Sequence, residues 1–337
     1  MAEINLYLIL IASIGLDLLI GDPDFLIHPV QVIGIYIKQN TRFFINNFSN
    51  KKNLLLLGGL FISLSTITIS YLFGKYLEII YFESQMNTFS CVILIISLSS
   101  CFATKSLISS VKEISNLIHN KKINQIPKEI IIEKVQRIVS RDVRELSFDD
   151  LLRAATESLS ENSVDGIFAP LFWAFFGALI IKYSVYFPGP LSLCFTYKAI
   201  STLDSMIGYK HDNFKQLGFF SAKIEDLATY IPCKLVVFTL PLINKNLNKY
   251  FYIIKQVFKD ASQYESPNAG FSEGIYAYVV NVKLGGKNKY KDDLIIKPIL
   301  NASGFKINNK SIKKICDLIL KLQLFWILLF SFLYFIK

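Results

Sequence analysis

Two long stretches without a charged residue restrict this chain to a membrane architecture. They run from Asn53 to Gly74 and from Ser84 to Thr104. As an α-helix, each is long enough to cross about 30 Å of hydrocarbon. The whole 337-residue sequence agrees, since 52% of it is hydrophobic and only 18% is charged. We therefore predict an integral membrane protein rather than a soluble domain.

Shorter apolar runs add further candidate membrane segments. They cover Ile4 to Leu16, Gly166 to Ile181, Leu235 to Ile243 and Leu322 to Ile336. Runs of this length cross a bilayer only with tilt or flanking residues, or enter it and return. The predicted fold is an all-α, multi-pass membrane protein with about four to six membrane segments, some of them re-entrant, and helical loops in the cytoplasm.

Positive charge collects in two polar regions. Ten Lys or Arg residues lie between Lys105 and Arg153, and thirteen lie between Lys245 and Lys314. Cytoplasmic loops of membrane proteins are enriched in these residues, so both regions are predicted to face the cytoplasm and the protein to lie in the cell (inner) membrane. The net charge of +10 then needs no nucleic-acid partner.

The chain between these regions has two open arrangements. Two full crossings, at Gly166 to Ile181 and Leu227 to Ile243, would place residues 188–226 outside. That loop contains several lysines, and its flanking apolar runs are short and are expected to be broken by four prolines: Pro188, Pro190, Pro232 and Pro241. Re-entrant segments would keep all polar groups on the inner face, and we favour this arrangement.

These observations divide the chain into five predicted segments. In order, they are N-terminal membrane segments (1–110), a cytoplasmic helical loop (111–165), membrane or re-entrant segments with a motif-rich loop (166–244), a second cytoplasmic loop region (245–316) and a C-terminal membrane helix (317–337).

An acidic stripe is the first candidate site. In AATESLSENSVDG (154–166), the three carboxylates Glu157, Glu161 and Asp165 follow each other at four-residue spacing. On an α-helix this spacing puts them on one face, where like charges repel unless a cation, metal or substrate compensates. Such a stripe suits Mg²⁺ with bound phosphates, and a solvated helix face is the equal alternative. Ser147 is a plausible N-cap of this helix.

Other ionisable residues lie beside turns or in apolar surroundings. They are His28 in GDPDFLIHPV, Arg141 in SRDVREL, and Lys198 and Asp204 in YKAISTLDSMIGY. A histidine can carry a proton or contact phosphate near neutral pH, and an arginine can bind phosphate or carboxylate through two bonds. The alternatives are a membrane-exit turn for the first, a solvated ion pair for the second and snorkelling for the lysine.

Three later stretches are candidates of the same kind. SAKIEDLATYIPCK carries Asp226, SPNAGFSEG carries Asn268, and LGGKNKY places Gly285 and Gly286 before Lys287. Consecutive glycines with a following lysine can hold a phosphate, although a hairpin turn requires only the glycines. For Asp226, a structural ion pair is the alternative.

Taken in order, these motifs resemble one family. The blocks GDPDFLIHPVQVIG, SRD, ESLSENSVDGIFAPLFW, YKAISTLDSMIGY, SAKIEDLATYIPCKL, SPNAGFSE and LGG are similar to those of the CobD/CbiB proteins of cobalamin biosynthesis. The resemblance extends from Leu16 to Tyr290. It implies a multi-pass membrane enzyme, adenosylcobinamide-phosphate synthase.

The resemblance also implies substrates and cofactors. The enzyme would join the amine of 1-amino-2-propanol, or of its O-phosphate, to the ring D propionate of adenosylcobyric acid, with ATP and Mg²⁺ and without a tightly bound prosthetic group. Its other partners would be membrane lipid and further membrane enzymes of the same assembly. The sequence does not decide whether the amine arrives phosphorylated.

Roles can be assigned on this basis as hypotheses. Glu157, Glu161 and Asp165 would hold Mg²⁺, Glu161 and Asp165 also acting in catalysis. Asp204 or Asp226 would take the amine's proton.

The remaining candidates would bind substrate or phosphate. They are His28, Arg141, Asn162, Lys198, Asn268, Gly285, Gly286 and Lys287. The chain departs from the family pattern at four positions, namely Val143, Ser201, Glu225 and Lys234. Because a lysine cannot form the bidentate hydrogen bonds of an arginine, a phosphate-binding role for Lys234 is in doubt.

Two other classes of function remain open. A transporter or binding protein for a corrinoid or anionic metabolite would use Lys198 and Asp204 as intramembrane contacts. A scaffold for a biosynthetic complex is the other. The concentration of polar residues in the predicted cytoplasmic loops favours the enzyme.

Overall fold

The computed structural model describes residues 2–21, 29–119, 127–209, 213–244, 247–290 and 293–336. Within these ranges the chain is almost entirely helical, with one short β-hairpin. The predicted all-α membrane class is confirmed. The candidate His28 lies outside the described residues.

The helices follow each other closely along the chain. They are α1 (Ala2–Leu19), α2 (Pro29–Phe48), α3 (Lys52–Glu83), α4 (Thr88–Ser99), α5 (Thr104–His119), α6 (Lys128–Gln136), α7 (Phe148–Ser163), α8 (Ala169–Ile180), α9 (Pro190–Ile207), α10 (Phe214–Leu217), α11 (Phe219–Ile243), α12 (Tyr250–Ala261), α13 (Ala269–Val280) and α14 (Asn309–Phe335). A π-helical turn, Val164–Phe168, joins α7 to α8, and a 3₁₀ turn, Leu247–Lys249, precedes α12.

Five helical stretches of the described chain are long and apolar enough to cross a membrane. They are Lys52–Glu83, Thr88–His119, Phe148–Ile180, Phe219–Ile243 and Asn309–Phe335. The first long uncharged run of the sequence falls within the first of these, and all but the first four residues of the second run fall within the second. The N-terminal run forms a shorter apolar helix, Leu6–Leu19.

One expectation about the prolines is wrong. Pro232 and Pro241 do not interrupt the apolar segment that contains them, because α11 continues through both for 25 residues. Pro190 begins α9 at a position where its missing N–H group costs nothing. The argument for re-entrant segments therefore loses its support from broken helices, while the membrane path itself remains a prediction.

The chain forms two compact units, each assembled from separate stretches. Unit 1 consists of residues 1–105, 165–229 and 333–337, and unit 2 consists of residues 106–164 and 230–332. In unit 1, α3 packs against α2, α4, α9 and α10, and α8 packs on α9. Its apolar core includes Ile37, Leu55, Ile62, Leu203, Ile207 and Leu217.

Glycines of α3 allow close packing in unit 1. A side chain at Gly59 would meet the carbonyl of Leu217, and one at Gly74 would meet the backbone of Ser192 at 2.7 Å. The opposite side of α3 exposes large apolar side chains such as Leu57 and Phe61. A helix with one tightly packed face and one exposed apolar face is suited to lipid.

A buried acid fixes the beginning of α9 in the same unit. The carboxylate of Glu78 accepts hydrogen bonds from the N–H groups of Leu191 at 2.8 Å and Ser192 at 3.0 Å. Lys75, one turn earlier, lies 3.5 Å from this carboxylate. A negative charge at a helix N-terminus satisfies N–H groups that have no partner inside the helix.

Unit 2 contains the only strand pair of the described chain. Strands β1 (Leu284–Tyr290) and β2 (Asp293–Leu300) are antiparallel, with Leu284 paired to Leu300 and Asn288 to Ile295. The pairing is irregular between Leu284 and Gly286, which is a β-bulge. The hairpin contacts α7, α12 and α13, and α13 packs on both α7 and α12. The hairpin, which belongs to the second basic region of the sequence, thus lies against α7, the helix that carries the acidic stripe.

Candidate active site

Helix α7 presents the acidic stripe of the sequence. It begins after Ser147, whose hydroxyl accepts a hydrogen bond from the N–H of Asp150 at 3.2 Å, so the predicted N-cap is confirmed. Residues Arg153, Glu157 and Glu161 follow at four-residue spacing on one face. This face is directed into unit 2.

Glu157 is a fully engaged carboxylate. It is 1% exposed and forms ion pairs with Arg141 and, at 3.0 Å, with Arg153. The same carboxylate accepts a hydrogen bond of 2.8 Å from the N–H of Gly285. Two guanidinium groups and a backbone donor therefore compensate the cost of burying its charge.

The same arginines attach the hairpin to α7. The side-chain oxygen of Asn288 accepts hydrogen bonds from Arg141 and, at 3.1 Å, from Arg153. Arg153 also donates to the carbonyl groups of Gly285 and Lys287, each at 3.0 Å. Both arginines are thus committed to internal contacts, and the predicted phosphate contact of Arg141 would require it to leave Glu157.

The two glycines of LGGKNKY lie in strand β1 at the bulge, not in a hairpin turn. Both have positive φ, +81° at Gly285 and +100° at Gly286. A side chain at Gly285 would overlap the carbonyl oxygen of Pro298, whereas a Cβ atom at Gly286 meets nothing within 4 Å. The N–H of Gly285 is used by Glu157. Of the predicted phosphate-binding residues in this motif, only Gly286, which has open space beside it, and the exposed Lys287 are available to a phosphate.

Glu273, on α13, is a second buried carboxylate of this cluster. It is 0% exposed, and its oxygens lie 3.0 Å from the ammonium of Lys297 on β2 and 3.4 Å from the hydroxyl of Tyr264. Burial raises the pKa of Glu273 to about 8, and the charges of Glu157 and Glu161 add to the rise, while Lys297 opposes it. The carboxyl therefore exchanges its proton close to neutral pH.

The pKa of Tyr264, which lies beside Glu273, is raised as well. Burial raises the pKa of Tyr264, and the negative charges of Glu273, Glu157 and Glu161 raise it further. Its hydroxyl also lies 3.1 Å from the carbonyl oxygen of Pro298. Tyr264 is therefore a permanent hydrogen-bond donor in this cluster.

Glu161 completes the acidic group. It is half-buried, and its carboxylate forms no hydrogen bond or ion pair with any residue that the structure describes. Its neighbour Asn162 donates to the hydroxyl of Ser158 at 2.8 Å. Glu161 is the carboxylate of the stripe that is available to a bound cation.

The predicted magnesium ligands do not form a metal site in this conformation. Among the described residues, no group of three or more His, Cys, Asp or Glu side chains is placed to hold a metal ion. Glu157 is occupied by two arginines, and Asp165 lies in the π-helical turn, where the four-residue stripe of an α-helix no longer applies. The donors present do not fit Mg²⁺, so no metal is assigned to them.

The other predicted residues are divided between the two units. Asn268 lies in unit 2, buried, at the N-cap position of α13. Asp165, Lys198, Asp204 and Asp226 belong to unit 1. In that unit, Lys198 and Asp204 are half-buried on α9, and Asp226 pairs with Lys223 at 4.0 Å on α11.

Lys234, one of the departures from the family pattern, has an internal role. Its ammonium donates to the carbonyl of Pro267 at 2.9 Å and lies 3.0 Å from the centre of the Phe271 ring. These contacts support the loop before α13. They leave the doubted phosphate clamp at Lys234 without support.

Sequence reasoning missed several members of the cluster. Arg153, Glu273, Asn288, Lys297 and Tyr264 received no role. Two signals were present in the sequence, namely the four-residue spacing of Arg153 and Glu157, which favours an ion pair, and a single acid within the apolar stretch of α13. Asn288 and Lys297 carry no such signal, since only the pairing of β1 with β2 brings them there.

Comparisons with known proteins give the family. A family model described as CobD/Cbib protein matches residues 10–319. A cobalamin biosynthesis protein CobD of Synechocystis is 39% identical over 293 residues, covering 87% of this chain and 81% of that protein. Proteins of the same name from Leptospira interrogans and Clostridium tetani are 33% and 32% identical, covering 86% of this chain and 85% and 86% of their own lengths.

No solved structure matches the chain. The family model extends over the motifs that form the buried cluster of unit 2, namely Arg141, the α7 stripe, Glu273 and the LGG bulge. The described chain also contains five apolar helices of membrane-spanning length. The protein is therefore a member of the CobD/CbiB family, a membrane protein of cobalamin biosynthesis.

Proposed function

We propose that the protein is an ATP-dependent acid–amine ligase. It joins 1-amino-2-propanol, or its O-phosphate, to the ring D propionate of adenosylcobyric acid and gives adenosylcobinamide or its phosphate. Family membership over residues 10–319 is the observation that carries the proposal. The buried acid–base cluster of unit 2 supports it, because amide synthesis requires groups that accept protons and bind charged substrates.

The reaction makes two demands on the protein. The carboxylate must be activated, most simply as an acyl phosphate made from ATP, and the amine must lose its proton before it attacks. ATP with Mg²⁺ supplies the activating phosphoryl group when bound. The protein's own residues bind the amine, hold its phosphate where it has one, and remove the proton.

Glu161 is suited to bind the amine. It is a half-buried carboxylate without a partner among the described residues, so a substrate ammonium can pair with it. Gly286 and Lys287, on the open side of the bulge, are suited to a phosphate on the same substrate. In this proposal Gly286 and Lys287 bind the phosphate, whereas the N–H group of Gly285 remains bonded to Glu157.

Product formation tests the function directly. The detergent-solubilised protein is incubated with adenosylcobyric acid, Mg-ATP and either aminopropanol or its phosphate, and the corrinoid is followed by mass spectrometry. A mass increase equal to one amide condensation is expected, and the amine that reacts identifies the substrate. Corrinoid binding without product or ATP consumption, in folded protein, would instead support a transporter or binding protein.

Glu161→Gln tests the role of the acidic stripe. It should abolish turnover while leaving the protein in the membrane, because it removes the charge that binds the ammonium. Glu129→Gln is the matched control, since it neutralises an exposed carboxylate on α6 of the same unit. Near-normal turnover of Glu161→Gln would remove Glu161 from the mechanism.

A further inference from the structure

Glu273 combines complete burial with a neighbourhood of mixed charge. The charged and titratable groups that face it are Lys297 from β2, Tyr264 from the loop before α13, and Glu157 and Glu161 from α7. Arg141 and Arg153 compensate the charge of Glu157, and Lys297 pairs with Glu273 at 3.0 Å. The negative charge of Glu161 also acts on Glu273.

Two members of the cluster are partly exposed to solvent. The side chain of Lys297 is 22% exposed, and Glu161 is half-buried, although Glu273 itself is fully enclosed. A primary ammonium that approaches from solvent can therefore contact Glu161 or Lys297 before it reaches the enclosed Glu273. It would then replace or join Lys297 as the cation beside Glu273.

We propose that Glu273 is the proton acceptor for the amine substrate, and that Glu161 holds the ammonium group beside it. The inference rests on the proposed ligase function and replaces Asp204 and Asp226, the residues predicted for this step. An N–H bond of the substrate ammonium breaks, an O–H bond forms on Glu273, and the electron pair stays on nitrogen. The free amine then attacks the carbonyl carbon of the acyl phosphate, so that a C–N bond forms, the C–O bond to phosphate breaks and phosphate leaves with its electron pair. The nitrogen loses its second proton to the departing phosphate or to water, which gives the neutral amide.

Proton affinity agrees with this role. An alkyl amine with a pKa near that of lysine, about 10, is protonated at neutral pH and cannot act as a nucleophile. An effective general base has a pKa close to the working pH, and burial raises that of Glu273 to about 8. An exposed carboxylate near its ordinary value would accept such a proton far less readily.

The test compares two amines that differ in proton affinity. Aminopropanol is protonated at neutral pH, whereas hydroxylamine is mostly unprotonated and forms a hydroxamate without needing a base. With the full-length protein in detergent at pH 7, Glu273→Gln should slow the aminopropanol reaction by about 10²- to 10⁴-fold and the hydroxylamine reaction by less than about 10-fold. Glu129→Gln should slow neither.

The pH profile provides a second measure. The wild-type rate with aminopropanol should rise with pH and level off above about 8, where Glu273 is ionised. Glu273→Gln should not level off near pH 8, and its slower rate should continue to rise toward about pH 10 as the free amine forms in solution. Equal slowing with both amines, or an unchanged limb in Glu273→Gln, would overturn the assignment.

Folding and function are tested separately. If Glu273→Gln does not reach the membrane, Glu273→Asp, which keeps the carboxyl group, should move the limb of the pH profile, and an unmoved limb would overturn the inference. If the wild type forms neither amide nor hydroxamate, the ligase function fails, whatever the variants do.

Discussion

At the scale of single residues, two buried glutamates of one cluster serve opposite purposes. Glu157 is paired with two arginines and a backbone N–H group, so its charge is compensated within the protein. Glu273 has one lysine and two acidic neighbours, and its pKa rises to about 8. The first arrangement suits a structural ion pair and the second suits proton transfer.

Loss of the Glu157 charge should destabilise unit 2. Glu157→Gln leaves Arg141 buried without its counter-ion, and breaking a buried pair in this way costs about 3–5 kcal/mol. Glu133→Gln is the control, because its pair with Arg137 is exposed on both sides and contributes at most about 1 kcal/mol. The free energy of unfolding in detergent measures both, and equal effects would contradict the structural role of Glu157.

The raised pKa of Glu273 predicts a pH-dependent stability. The folded protein holds this proton more tightly than the unfolded chain, whose carboxyl has an ordinary value of 4.5. Its contribution is fully present below pH 4.5 and is lost as the pH rises through about 8. The unfolding temperature should therefore fall across this range, and Glu273→Gln should flatten the fall. An equally steep fall in Glu273→Gln would assign the dependence to another group.

At the scale of elements, the β-hairpin decides the composition of the site. Its bulge at Gly285 and Gly286 directs one N–H group to Glu157, and Asn288 then meets both arginines. Lys297, on the other strand, is paired with Gly286 and reaches Glu273. The hairpin thereby connects α7 with α13.

The two glycines should differ in their tolerance of a side chain. Positive φ makes alanine unfavourable at both, by about 1–3 kcal/mol. Gly285→Ala should cost more than Gly286→Ala, because only at Gly285 does the new methyl group overlap the carbonyl oxygen of Pro298. Unfolding free energies of the two variants test this order, and a larger loss for Gly286→Ala would contradict the geometry of the bulge.

At the scale of the whole molecule, the length of the apolar helices bears on the predicted membrane path. Two candidate spans, Phe148–Ile180 and Phe219–Ile243, separate the two basic regions. Two crossings return a chain to the side from which it started, as the prediction that both basic regions face the cytoplasm requires. The helical stretches of 33 and 25 residues are each long enough to cross a bilayer, which favours full crossings over re-entrant segments.

Cysteine labelling tests this path. Glu129→Cys and Lys259→Cys, both exposed, should react with a membrane-impermeant reagent only from the cytoplasmic side. Tyr186→Cys, which is exposed between the two candidate spans, should react only from the opposite side. Cys91 is partly exposed, whereas the other four cysteines are buried, so its replacement by serine provides the unlabelled background. Labelling of Tyr186→Cys only from the cytoplasmic side would establish re-entrant segments instead.

The sequence by itself determined the membrane class, the family and the helix that carries the acidic stripe. Uncharged runs, an N-cap and four-residue spacing are local properties of the sequence. Their effect on a helix does not depend on which other parts of the chain the helix contacts. The same locality explains why the spacing predicts a metal site and a solvated helix face equally well, since it does not reveal that Arg141 pairs with Glu157.

Only the tertiary structure decided which acids are neutralised and which remain reactive. Glu157 and Glu273 are 116 residues apart, and Asn288 and Lys297 reach them through a strand pairing that no local pattern specifies. The proton affinity of a carboxyl group depends on its burial and on nearby charges, and both are set by contacts between distant parts of the chain. For this reason the sequence could identify the acidic helix, and only the fold could distinguish its structural glutamate from the proton acceptor on α13.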